Sequence, residues 1–375
     1  VKVTDAGGNP VSGVPVTFAV TVGGGSVLPV TSVATDGAGI AVATSWTLGT
    51  VAGGNTLTAT AAGLAGSPVS FTATGTAGAA ATLALNAGNG QSATVNTAVA
   101  ILPSVKVTDA FGNAVNGIGV TFLVTGGSGS LTGATPTTNS SGIATVGGWT
   151  LGTIAGTNTL SASSGTLAGS PVGFTATGTA GAAATVALSA GNAQSAPVGT
   201  AVLVPPAVLV TDAFGNPKSG VAVTFAVTGG GGSVTGGAAT SNGSGIAAVG
   251  SWTLGAIAGP TSLGATATGL AGSPVSFTAT GTTGSATKLA VTVAAPTTAQ
   301  SGIAFTTQPV VQLQDASGNP VAQAGVTVTG ALFSVTRVLS GASVVTDANG
   351  QAVFTGLSIA GLVGTDSLSF TSTGL

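Results

Sequence analysis

The sequence predicts an all-β chain of tandem antiparallel sandwiches, and three observations carry that prediction. One text recurs. Val105-Lys106-Val107-Thr108-Asp109-Ala110-Phe111-Gly112-Asn113 has close equivalents that start at Val1, Val208 and Val311. Asp5, Asp109, Asp212 and Asp315 are therefore equivalent, at a spacing of about 103 residues, too long for a solenoid unit and suited to a whole sandwich domain. Side chains alternate. Val105 and Val107 point one way and Lys106 and Thr108 the other, and Val120, Phe122 and Val124 repeat the pattern, which is the period of a half-buried strand. Helical periodicity is missing: Thr, Val and Gly dominate, and no stretch places apolar residues at three-four spacing over several turns.

Four copies follow from the repeat, with expected bounds 1–78, 79–181, 182–284 and 285–375, here called repeats 1 to 4. Repeat 2 is the reference. Residues 82–85 (Thr-Leu-Ala-Leu) form a first strand, followed by a turn at Ala87-Gly88-Asn89-Gly90. Residues 97–102 continue that edge, where Pro103 needs no ladder donor. The strand at 105–109 and the strand at 119–125 come next, then 143–151 ending in Trp149-Thr150-Leu151, then 158–163 and 171–177. That gives about seven short strands with turns every 8–12 residues or so. The Ala-rich text at 76–81, 179–184 and 282–286 reads as a short connector between copies. Repeat 4 diverges, with Gln308, Gln312 and Gln314 on its second strand and Arg337 in a loop. Val1 corresponds to Val105 and Leu375 to Leu64, so repeat 1 is expected to lack its opening strand and repeat 4 its closing one. Flanking chain or strands donated by a neighbour are expected to fill those gaps.

Composition narrows the function. Hydrophobic residues make up 43%, enough for several cores, whereas charged residues make up only 3%, against about a quarter in ordinary domains. The five basic residues form no patch that could neutralise phosphates, so nucleic acid is not an expected partner. Thr, Ser, Gly or Asp interrupts every apolar run before the roughly 18 residues of a membrane helix, so direct membrane insertion is not expected. There is no Glu, His, Cys or Tyr, which removes the usual general bases and nucleophile–base pairs; no enzyme activity and no cofactor are expected.

The string Val-x-Val-Thr-Asp-x-x-Gly-Asn-Pro-Val, as at 1–11, continues in Gly13-Val14-Pro15-Val16-Thr17-Phe18 and a Gly-rich loop. Together with Thr346-Asp347-Ala348-Asn349-Gly350-Gln351-Ala352 and Thr56-Leu57-Thr58-Ala59-Thr60, it resembles the bacterial immunoglobulin-like group 1 (Big-1) repeat of invasin- and intimin-type adhesins. The resemblance covers essentially the whole chain. It implies immunoglobulin-like sandwiches arranged end to end as an elongated rod, in a stalk at the bacterial surface or outside the cell. The text contains neither a membrane barrel nor a lectin-like cap, so the adhesive function of the family's better-known members does not carry over.

Each residue that stands out has a structural and a functional reading. Asp5, Asp109, Asp212 and Asp315 precede a Gly- and Asn-containing turn, and an Asp there accepts hydrogen bonds from backbone amides. Calcium is the competing reading, since carboxylates and carbonyls are hard ligands. The second recurring turn position alternates among Asp36, Asn139, Asn242 and Asp347, which weakens a dedicated calcium site. Asn139-Ser140-Ser141 and Asn242-Gly243-Ser244 are formal glycosylation sequons, with a tight turn as the simpler reading. Trp46, Trp149, Trp252 and, in repeat 4, Phe354 form one equivalent series expected in the cores, and Phe71, Phe174 and Phe277 form another. Sugar stacking is the alternative for the Trp series. Phe111 and Phe214 sit at a turn tip with little core to enter, and are expected to press on the adjoining repeat.

Two functions lead, a passive stalk of sandwiches or a self-assembling filament or layer, with an adhesin that binds a host or carbohydrate ligand as a third and less supported reading. The scarcity of charge favours surfaces packed against protein or covered by sugar. Partners are then neighbouring repeats or copies of the same chain, with no ligand specified.

Overall fold

The computed structural model describes residues 1–375. Strands and turns make up the whole chain, without a helix. The chain separates into two units, Val1–Ala180 and Gly181–Leu375. Each holds two apolar cores, one per sequence repeat.

In repeat 2 one sheet carries Ala80–Ala87, Ser104–Asp109 and Ile143–Thr145, and the facing sheet carries Thr121–Gly126, Gly156–Ser163, Val172–Thr179 and Gln91–Thr94. The two-stranded ribbon of Ser130–Thr132 and Gly148–Thr150 holds Trp149. Alternation decides what enters the core: Val105 and Val107 from the first sheet meet Phe122, Leu160, Ala162, Phe174 and Ala176 from the second. Lys106, out of phase, stays exposed. The connector is shorter than the Ala-rich text suggests. Thr179 ends one strand and Ala80 and Ala183 open others, because alanine fits a half-buried edge as well as it fits a linker.

One pairing departs from the antiparallel expectation. Gln91–Thr94 leaves the first sheet and pairs parallel to Val172–Thr179, and Gln194–Pro197 does the same with Val275–Thr282. A glutamine staples each crossing. Gln91 Nε2 donates to the carbonyls of Gly88 (2.8 Å) and Ile101 (2.6 Å), and its Oε1 accepts from the Ile101 amide (2.8 Å). Gln194 does likewise with Gly191 and Val204.

Repeat 4 keeps the sandwich but redistributes its volume. In repeats 1 to 3 a Phe faces an Ala across one strand pair: Phe18 with Ala59, Phe122 with Ala162, Phe225 with Ala265. In repeat 4 Gly330 faces Phe370, so the ring crosses to the partner strand. The alignment of Phe354 with the tryptophans also needs correction. Its amide donates to Pro309, as those of Val146 and Val249 donate to Pro103 and Pro206. Leu357 takes the Trp place, accepting from Phe305 as Trp149 accepts from Val99 and Trp252 from Val202. A larger Phe beside a smaller Leu fills what a Val and a Trp fill elsewhere, and both are fully buried.

In repeat 1 this layer is more open. Trp149 and Trp252 are 0% exposed, under the segments of Val99 and Val202, but Trp46 is only half-buried. Phe71 is 40% exposed, against full burial of Phe174 and Phe277, whose strands pair with Gln91–Thr94 and Gln194–Pro197.

Candidate functional site: the Asp-x-x-x-Asn turn and the joint between repeats

The recurring Asp is built into its turn by four donors. Asp109 Oδ1 accepts from the amides of Phe111 and Asn113, both at 2.9 Å. Its Oδ2 accepts from Asn113 Nδ2 and from the amide of Gly78, both at 2.8 Å. Gly78 lies in the connector, so the turn grips the chain entering its own repeat. Asp212 binds Gly181 in the same way (2.9 Å), and Asp315 binds Gly284 (3.1 Å). N–H donors stabilise the ionised form. Asn113, then Gly78 and the turn amides, therefore hold the Asp109 carboxyl down at about 2. Burial pushes Asp315 up, but Asn319 and the amides of Asn319, Gly284 and Ser317 outweigh it and leave that carboxyl at about 2 as well.

The asparagine four residues on completes the joint. Asn113 Oδ1 accepts from the Ala52 amide of repeat 1 (2.8 Å), and its Nδ2 donates to the Thr50 carbonyl (2.8 Å). Nδ2 carries two hydrogens, and the second goes to Asp109. Every polar position of the carboxamide inside this cluster is thus used. Repeat 4 reproduces the joint against repeat 3: Asn319 accepts from Ala258 (2.9 Å) and donates to Ala256 (2.8 Å). A carboxamide is suited to this place because one planar group offers a donor and an acceptor side by side, matching a carbonyl and an amide two residues apart in a loop.

Phe111 and Phe214 are 69% and 48% exposed, and between repeats 1 and 2 the hydrogen bonds are made two residues on from Phe111, by Asn113. Asn9, Asn113, Asn216 and Asn319 recur at one position, which is the signal sequence reading could have used. For Asn113 and Asn319 the partners lie in another repeat, so the text alone assigned the turn to the Asp and overlooked the Asn. Gln91 and Gln194 escaped notice because the carbonyls and amides they bind, at Ile101 and Val204, come within reach only when the strand crosses between sheets.

The other singled-out positions resolve into geometry. No group of three or more carboxylates comes together, and Asp109 spends both oxygens on N–H groups. Asn139 Oδ1 accepts from the amides of Ser141 (2.9 Å) and Ile143 (3.1 Å), and Asn242 from those of Ser244 and Ile246, so both sequon asparagines organise exposed turns. Gly142 completes the first of these turns at φ +73°, where an added Cβ would stand 2.5 Å from the Val107 carbonyl oxygen. Trp149 and Trp252, fully buried, offer no face to a sugar.

No family model and no curated protein matches the chain. Among solved structures it is similar to the Escherichia coli adhesin FdeC, at 21% identity over 80% of this chain and 96% of that one, with a TM-score of 0.45. It is also similar to invasin, a bacterial integrin-binding protein, at 19% identity over 100% and 72% of the two chains, with a TM-score of 0.44. The surface layer protein SbsC, domains 1–6, matches at 18% identity over 98% and 49%, with a TM-score of 0.29.

Proposed function

We propose that this chain is a non-enzymatic structural region of a bacterial extracellular or cell-surface protein, a spacer whose repeats are locked to one another. The observation that carries this reading is the joint: Asn113 and Asn319 each tie a turn, a connector and the preceding repeat into one hydrogen-bonded cluster. Such a cluster sets the orientation of successive repeats and performs no chemistry. The sequence supports the same role, since it carries no His, Cys, Glu or Tyr and repeats a surface-adhesin text four times.

Self-assembly into a filament or layer is the second reading, favoured by the low charge and by large apolar side chains left in solvent, such as Leu203, Phe333 and Val335. Sedimentation and negative-stain microscopy of residues 1–375 separate the two. Monomers at all concentrations support the spacer; ordered filaments that grow with concentration support assembly and overturn it.

A further inference from the structure

We propose that the Asp-x-x-x-Asn turn is a preformed docking element, and that Asp5–Asn9 of repeat 1 is a binding site for another immunoglobulin-like repeat. The partner must present a loop of the form Gly-Thr/Ala-Val/Ile-Ala-Gly. This inference rests on the spacer reading and adds the recognition rule.

Four observations support it. The turn has the same internal geometry in the exposed and the engaged copies. Asp5 Oδ1 accepts from the amides of Gly7 and Asn9 at 2.9 Å, as Asp109 and Asp315 do from their own turns, and Asn9 Nδ2 reaches Asp5 Oδ2 at 3.1 Å. Docking therefore needs little rearrangement, which lowers its entropic cost. Engagement uses backbone groups of the partner loop: Thr50 and Ala256 supply carbonyls, and Ala52 and Ala258 supply amides. The first side chain can therefore vary between Thr and Ala. The middle residue, Val51 or Ile257, is exposed and places no demand on the site.

The loop is also selective. In repeat 4 the residues before Gly361 are paired as a strand, Ser358–Ala360 with Val338–Ser340. The segment that follows is pinned by Arg337, which donates to the carbonyls of Leu362 and Thr365 at 2.9 Å and pairs with Asp366 at 3.3 Å. That end presents no carbonyl and amide in the required arrangement. The occupant is thus a repeat ending like repeats 1 and 3, and the end of repeat 4 does not qualify.

The test adds residues 1–104 ahead of Val1 in the full chain, so that the added copy's Thr50–Ala52 loop lies at the native spacing from Asp5–Asn9. The protein has no cysteine, so one spin label in the added copy and one in the repeat starting at Val1 report their distance without interference. Expected is a distance distribution as narrow as that across the native joint of repeats 1 and 2, and at least twofold broader with Asn9→Ala. Ala52→Pro in the added copy deletes the loop amide, leaves the Asp5–Asn9 turn intact, and should broaden it equally. Unchanged widths in both variants overturn the proposal. If Asn113→Ala broadens the native joint while neither of these variants acts, the docking rule fails and the spacer reading stands. If Asn113→Ala is also silent, both fail.

Discussion

At the scale of single residues, the Asp turn links charge to stability. Asp109 is held at about 2 by Asn113, Gly78 and the turn amides, well below its ordinary 3.8. A carboxyl depressed in the folded state adds stability that is complete above the unfolded value and disappears as pH falls through the folded one. The resistance of repeat 2 to denaturant should therefore fall as pH drops from 3.8 towards about 2. Asp109→Asn should remove that dependence and lower stability at neutral pH; an unchanged acid slope in this variant would contradict the assignment. Trp149→Ala should destabilise repeat 2 by about 3–5 kcal/mol, since the indole is fully enclosed and its loss leaves a cavity. The indole N–H groups of Trp46, Trp149 and Trp252 are buried without a partner, and these rings contribute through packing alone.

At the scale of strands, the exchange of Phe and Ala for Gly and Phe shows that the sandwich requires a filled volume, whichever strand fills it. In repeat 2 this becomes a double-mutant test. Phe122→Gly should cost about 3–5 kcal/mol by cavity formation. Ala162→Phe should cost about 1–3 kcal/mol by overpacking against Phe174 and its neighbours. Combined, the two should cost less than their sum by at least about 1 kcal/mol, because one ring occupies the space the other vacates. Strict additivity in urea denaturation would show that the site tolerates no exchange. The parallel crossing at Gln91–Thr94 gives a second test. Gln91→Leu keeps the volume but leaves the Ile101 amide and two carbonyls without their staple, and amide exchange at Ile101 should accelerate before that of the core strands.

At the scale of the whole molecule, each unit is a pair of sandwiches joined by an asparagine, a connector glycine and a loop. Removing the carboxamide with Asn319→Ala deletes two hydrogen bonds to repeat 3 and one to Asp315. Each neutral bond contributes about 0.5–1.5 kcal/mol net, so the joint should loosen while the core around Phe354 and Phe370 stays folded. Spin-label distances across the joint should broaden with little change in the circular dichroism of the strands. Collapse of repeat 4 instead would mean that the turn supports its own sandwich more than the joint. The near absence of charge fits this picture, because the side chains that order the array are amides bonded to backbone, which salt does not screen.

The all-β character and the alternation that buries Trp149, Trp252, Phe174 and Phe277 were legible in the text, because alternation is a local property of a chain. Repeat 2 shows this most plainly: Val105, Val107, Phe122 and Phe174 line its core as their phase requires. Tertiary structure alone decided which group makes the joint. The turn advertises an aspartate and an aromatic, but the aspartate is consumed by its own turn and connector, and Phe111 remains in solvent. Asn113 acquires its role only when Thr50 and Ala52, some sixty residues earlier, are folded against it. Likewise, the equivalence of Leu357 rather than Phe354 with the tryptophans follows from backbone partners at Phe305 and Pro309, which no alignment of side-chain types contains. Local pattern sets which residues are buried; which polar atoms then face one another depends on strand register and on contacts between repeats.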